Sequence, residues 1–181
     1  MTVLRYSPSR GKHSPDVWGL YEPVTGSVQY ICADPVTREA ALIDVVLDFD
    51  LISARTSTHS ADSVLKLVAE YGLKVTWVLE THPHADHVSA AAYLKQKTGA
   101  PTAIGEKVRD IAALWSGFYH LPEAFAVDQV FDRLLAEGET VSIGALKVSV
   151  WYSPGHTLGS ISYIVGDAAF IHDTQIGRAH V

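Results

Sequence analysis

The chain has 181 residues, 48% of them hydrophobic, with 14 Lys+Arg against 20 Asp+Glu, which is enough for one domain with its own core. A net charge of −6 without any Lys/Arg cluster argues against nucleic acid or an anionic membrane as the main partner. No run approaches the roughly 18 apolar residues of a membrane span, and Arg5, Arg10 and Lys12 stand among Pro and Ser without the apolar centre of a signal segment, so the cytosol is the expected compartment.

From residue 17 to 46 the sequence reads as strands broken by turn chemistry: 17–21, then Pro23-Val24-Thr25-Gly26, then 27–32, then Asp34-Pro35-Val36-Thr37, then 40–45. That is an antiparallel meander. Cys32 closes the second of these strands; as the single cysteine it excludes an internal disulfide and reads as a buried thiol rather than a nucleophile. Ser60 is placed as a helix N-cap, with Val64, Leu65, Val68 and Tyr71 at helical spacing and Gly72 as the terminator. A strand at 75–79, a helix at 89–97 ending on Gly99, a short strand at 101–104 and a helix at 106–115 follow. Beyond Pro122 the pattern returns to strands at 140–143, 146–152, 160–165 and 168–172. Strand-rich segments bracketing helix-bearing ones predict sheets covered by helices, a layered α/β sandwich rather than an all-β barrel.

Directly after the apolar strand comes Thr81-His82-Pro83-His84-Ala85-Asp86-His87. Neutral imidazole and ionised carboxylate are the donors that borderline divalent ions accept, and alternation along an extended loop puts His82 and His84 on one side. Pro83 keeps His82 out of the helical region and so stiffens the loop. Asp86 and His87 fall where the chain is expected to turn into a helix, aimed at a neighbouring position. Two further spots carry suitable chemistry. His156 follows a strand end on the Ser153-Pro154-Gly155 turn, and Asp173 ends the strand 168–172. Each alone is an ordinary loop residue; together with the histidine cluster they read as ligands.

Taken together, residues 81–87, the Pro154-Gly155-His156-Thr157 turn and His172-Asp173-Thr174 resemble the metallo-β-lactamase fold superfamily in order and spacing. Within it, Leu47-Asp48-Phe49-Asp50, Arg55-Thr56-Ser57-Thr58 and Ser60-Ala61-Asp62 are similar to the branch of persulfide dioxygenases and β-lactamase hydrolase-like proteins, relatives of glyoxalase II. The resemblance implies an αββα sandwich. It makes His82, His84 and His156 ligands of a first metal position, Asp173 a carboxylate facing both positions, and Asp86 and His87 ligands of the second. In the persulfide dioxygenase pattern one Fe(2+) is held by residues matching His82, His156 and Asp173. In the glyoxalase II pattern two ions, Zn(2+) among the alternatives, carry a hydroxide that attacks a thioester, with Asp86 holding or deprotonating it. His172 stands where the superfamily often has glycine and is read as a neighbour of the site. Asp44 is either an orienting partner for a metal-bound histidine or a plain turn carboxylate. His13, His59 and His120 are read as surface or packing residues.

The chain also departs from the family. Relatives continue well beyond the Asp173 position, whereas Ile176-Gly177-Arg178-Ala179-His180-Val181 resembles a translated sequencing adapter. The expectation is therefore one domain, incomplete at its C-terminus, over residues 1–175, with a non-native tail at 176–181 whose His180 is no ligand. Such a truncation is expected to expose an apolar sheet face and strand edge, and to make the 181-residue product aggregation-prone or inactive. Three functions follow from the resemblance: a dioxygenase oxidising a glutathione-type persulfide to sulfite, a hydrolase cleaving a glutathione thioester, or a non-catalytic metal-binding module or inactive fragment. The partner in the first two is a small thiol-derived molecule, and a homodimer is left open.

Overall fold

A computed structural model describes residues 2–121 and 125–174. The tail at 176–181, read above as non-native, lies outside the described residues. In chain order the elements are β1 (Thr2–Ser7), β2 (Asp16–Tyr21), β3 (Val28–Ala33), β4 (Glu39–Ile43), β5 (Val46–Asp50), β6 (Arg55–Ser57), α1 (His59–Glu70), β7 (Lys74–Leu79) and β8 (Val88–Ser89). They continue as α2 (Ala91–Thr98), β9 (Thr102–Gly105), α3 (Val108–Tyr119), α4 (Val127–Val130), β10 (Arg133–Leu135), β11 (Thr140–Ile143), β12 (Leu146–Tyr152), β13 (Ile161–Val165), β14 (Ala168–Phe170) and a 3₁₀ turn, His172–Thr174.

A seven-stranded sheet runs in the order β1-β2-β3-β4-β7-β9-β10. Strands β2, β3 and β4 form the expected antiparallel meander, β1 adds an unpredicted antiparallel strand at its edge, and β4, β7, β9 and β10 then run parallel. A second sheet is the antiparallel meander β11-β12-β13-β14, and a small ribbon joins β6, β5 and β8. Strand β4 shows why the layers stack as they do. It reads Ala40-Ala41-Leu42-Ile43, apolar on both sides. Ala40 and Leu42 pack against Ala61, Val64 and Val68 of α1 and Leu94 of α2. Ala41 and Ile43 face Val141, Val148, Ile161 and Tyr163 of the second sheet. A strand buried on both faces needs this continuous apolar run rather than alternation. The result is helices on one face of the large sheet and the second sheet on the other.

Two clamps join the sheets. Tyr163 Oη donates to the Glu80 carbonyl at 2.9 Å, and the Ile161 amide donates to the Thr81 carbonyl at 3.0 Å. Asp34, in the turn between β3 and β4, accepts from the Ala145 amide of the β11–β12 turn at 2.7 Å. The β13–β14 turn needs Gly166: its φ is +58°, and a Cβ there would lie 1.9 Å from the His13 carbonyl oxygen.

Several expectations need correction. Ser60 is not the N-cap; α1 begins at His59 after Thr58, and the Ser60 amide and hydroxyl both bind the Asp48 carboxylate of β5. Asp48 thus serves the exposed amides of the helix start from a neighbouring strand. Asp86 and His87 lead into the short strand β8, not a helix, because Val88 and Ser89 pair with Leu47 and Val46. The second sheet's outward face is also more polar than expected. It carries Thr140, Ser142, Lys147, Ser149 and Ser162, with Trp151 and Ile164 as its large apolar members. Among the described residues no helix is long and apolar enough to cross a membrane.

Candidate metal centre

The centre lies at the C-terminal ends of the parallel strands β4 and β7, where Asp44 and Glu80-Thr81-His82 leave the sheet. Asp44 is the anchor. Its φ of +52° puts a buried carboxylate under the histidine loop. One oxygen accepts the Thr81 amide at 2.8 Å and the other accepts the Thr81 hydroxyl at 2.9 Å. With its one proton given to Asp44, that hydroxyl acts as acceptor toward His82 Nδ1, 3.0 Å away. The His82 tautomer with the proton on Nδ1 follows, leaving the Nε2 lone pair free. Asp44 also lies 3.1 Å from His84 Nε2, and Glu80 sits 3.2 Å from the same nitrogen. His84 is therefore oriented with Nδ1 turned inward. Asp44 orients both histidines, which settles it as more than a turn residue.

His82 Nε2 lies 3.6 Å from Asp173 Oδ2, and His156 Nε2 lies 3.5 Å from the same oxygen. These three residues, drawn from the end of β7, the β12–β13 loop and the 3₁₀ turn, form one group whose ligand atoms could hold an ion. His84, Asp86 and His87 form a second. Asp86 Oδ2 is 3.2 Å from His87 Nδ1 and takes a 3.2 Å bond from Ser27 Oγ. All six sequence-predicted residues thus lie in one cluster. The division differs in two respects: His84 groups with Asp86 and His87, and with His82 and His172, rather than with His156, and Asp173 groups with His82 and His156 but not with Asp86 or His87. The sequence reading missed Glu80, Thr81 and Ser27. An acid directly after Trp77-Val78-Leu79, where a strand end is apolar, was the available signal for Glu80.

Electrostatics separate the histidines. Burial, reinforced by the neighbouring His84 charge, lowers the His82 pKa to about 4 and keeps it neutral. Burial also pulls His84 down, but hydrogen bonds to Asp44 and Glu80 outweigh it and raise the pKa to about 10. An ion at His84 Nδ1 would take the place of a proton there. Burial works to raise Asp86, yet its bond with His87 and further hydrogen bonds bring it to about 2. Burial pushes the Cys32 thiol well up, so it is no nucleophile. His13, His59 and His120 belong to none of the clusters.

Whether a metal fits can be judged from the nitrogens. Among the described residues His82 Nε2, His84 Nδ1 and His87 Nε2 are buried without a hydrogen-bond partner, and buried polar atoms in folded proteins are otherwise nearly always paired. Imidazole and carboxylate donors converging around such atoms suit a borderline divalent ion. Residues 28–178 match the sequence pattern described as the Metallo-beta-lactamase superfamily. The chain belongs to that superfamily. Among its relatives, a Beta-lactamase hydrolase-like protein of Xylella fastidiosa (strain Temecula1 / ATCC 700964) is 50% identical over 161 residues, 89% of this chain and 37% of the relative. The mitochondrial Persulfide dioxygenase ETHE1 of Homo sapiens is 26% identical over 161 residues, 88% of this chain and 52% of that protein. The crystal structure of ETHE1 from Myxococcus xanthus matches with a TM-score of 0.63 at 30% identity, covering 84% of this chain and 55% of that one. The chain therefore spans between about a third and a little over half of the length of these superfamily members.

A cleft of about 1120 Å³ opens beside the second ligand set. The β5–β6 hairpin forms one wall with Phe49, Leu51, Ile52 and Arg55, and Asp86 and His87 form the floor.

Proposed function

We propose that this protein is a metal-dependent dioxygenase that oxidises the terminal sulfur of a glutathione-type persulfide to sulfite: dioxygen is the oxidant and supplies two oxygens, water supplies the third, the S–S bond breaks, and the thiol and two protons are released. The observation that carries this reading is the convergence of His82, His156 and Asp173, since two imidazoles and one carboxylate are the donor set of non-haem ferrous oxygenases. His82, His156 and Asp173 would hold Fe(2+), which when bound would supply the redox chemistry for the oxidation. The chain's own residues do the rest. Thr81 and Asp44 hold His82 so that Nε2 faces Asp173. His156 and Asp173 are each 43% exposed at the side chain and leave one flank of the site accessible. Phe49, Leu51 and Ile52 offer an apolar wall for the thiol carrier, and Arg55 offers a cation for a carboxylate on it. The human relative, a persulfide dioxygenase, supports the same chemistry. The protein is proposed to work in the cytoplasm. The test is oxygen uptake by anaerobically purified, iron-loaded protein on addition of glutathione persulfide. Uptake that persists in His156→Ala, or no uptake by the unsubstituted protein, would sink the proposal.

A second reading, a two-metal hydrolase of a glutathione thioester, draws on His84, Asp86 and His87 as a separate ligand set. A carboxylate at about 2 is a weak base at neutral pH, so Asp86 suits holding a nucleophile better than deprotonating it. Two zinc ions per chain and thioester cleavage without oxygen would favour this reading over the first.

A further inference from the structure

His172 immediately precedes Asp173, and the two reactions just proposed leave it without a role. Its side chain is only 7% exposed, yet among the described residues neither ring nitrogen has a hydrogen-bond partner. Asp173 Oδ2 lies 3.2 Å from Nδ1 without meeting the geometry of a hydrogen bond. The ring faces the cluster, its centroid 5.3 Å from that of His82 and 4.9 Å from that of His84. Ligand atoms of His82, His84 and His172 all lie within 4.8 Å of one another. The backbone adds a second observation. His172 has φ +36°, in the left-handed region that side-chain-bearing residues rarely adopt. Such strain persists where surroundings hold it, and it gathers at ligand sites.

We propose that His172 is itself a metal ligand, forming with His82 and His84 a three-imidazole set for a borderline divalent cation. This inference rests on the reading of His82 as a ligand. An ion there would satisfy three buried nitrogens at once: His82 Nε2, His84 Nδ1 and one nitrogen of His172. Three imidazoles with a further position open are a known zinc donor set, so the presence of His172 biases the centre toward nitrogen-preferring ions.

The test uses the whole chain, titrated with Zn(2+) against a chromophoric chelator and with the imidazole count read by X-ray absorption. Two variants are compared with the unsubstituted protein. His172→Asn tolerates the left-handed backbone, and His172→Gly relieves it, so a melting curve shows that both remain folded. Loss of an orienting partner alone weakens metal binding by about 10–100-fold. Loss of a ligand is expected to exceed roughly 100-fold and to lower the imidazole count by one. Weaker binding with an unchanged count would make His172 a positioning residue and overturn the proposal, as would unchanged affinity. Absence of metal from the unsubstituted protein would instead remove the metal reading altogether.

Discussion

Single residues set the chemistry of this centre, and Asp44 sets most of it. One carboxylate fixes His82 through Thr81 and touches His84 directly. Asp44→Asn keeps the shape but loses the charge, and metal affinity is expected to fall about 10–100-fold in a chelator titration, as for other orienting partners of ligands. Asp34 acts at the same scale on stability. Burial raises its pKa, but the Ala145 and Val36 amides and Thr37 outweigh burial and hold it below the usual carboxylate range. Its contribution is therefore full above the unfolded value of about 4 and is lost as pH falls through the lower folded value. Asp34→Asn is expected to destabilise by about 1–3 kcal/mol at neutral pH in urea unfolding. The gap should close in acid. The clustering of the histidine loop was legible because His82, His84, Asp86 and His87 are neighbours in the chain. The bond from Asp44 to His84 spans 40 positions, and nothing local announces it. His172 was read as a neighbour of the site, and neither its burial nor its φ is written in nearby residues.

Elements placed by strong periodicity matched, and those defined by their neighbours did not. Helix α1 has a clear apolar stripe in Val64 and Val68, whereas the β5–β6 hairpin is short and mixes apolar with polar residues, with Asp48 opposite Ser57. Without that hairpin in view, Ser60 is the natural cap. With it, Asp48 is the group that binds the Ser60 amide at 3.0 Å. Asp48→Ala is accordingly expected to cost about 1 kcal/mol, the usual worth of a helix-start acceptor. That corresponds to about 2–4 °C in a thermal melt for a chain of this size. Ser60→Ala leaves the amide bond in place and should lower the melting temperature less.

At the scale of the molecule, the proposed ligands come from both layers. His82 leaves β7 of the large sheet, while His156 and Asp173 follow β12 and β14 of the small one. An ion between them would tie the sheets together beyond the Tyr163 and Ile161 clamps. With free metal at about 100 times its Kd, binding adds roughly 2.7 kcal/mol to stability. Stripping the protein with a chelator is thus expected to lower its melting temperature by about 5–10 °C, and readdition should restore it. An unchanged melt would mean that the two layers do not share an ion. The layering itself was readable from the strand and helix pattern. The facing of the second sheet was not, because its alternation of Ser149, Trp151, Ser162 and Ile164 becomes meaningful only once the register is known.

Cys32 sits wholly enclosed between the two sheets, packed with Val141, Val148 and Phe170. As the single sulfhydryl of the chain, it provides a built-in clock for breathing motions. A maleimide cannot reach it through side-chain fluctuation alone, so tagging should proceed no faster than the sheets part company. Tagging rates followed by mass spectrometry, with and without added cation, are expected to slow when the cation is present. Labelling within seconds in native buffer would show that the interior opens far more readily than its close contacts imply.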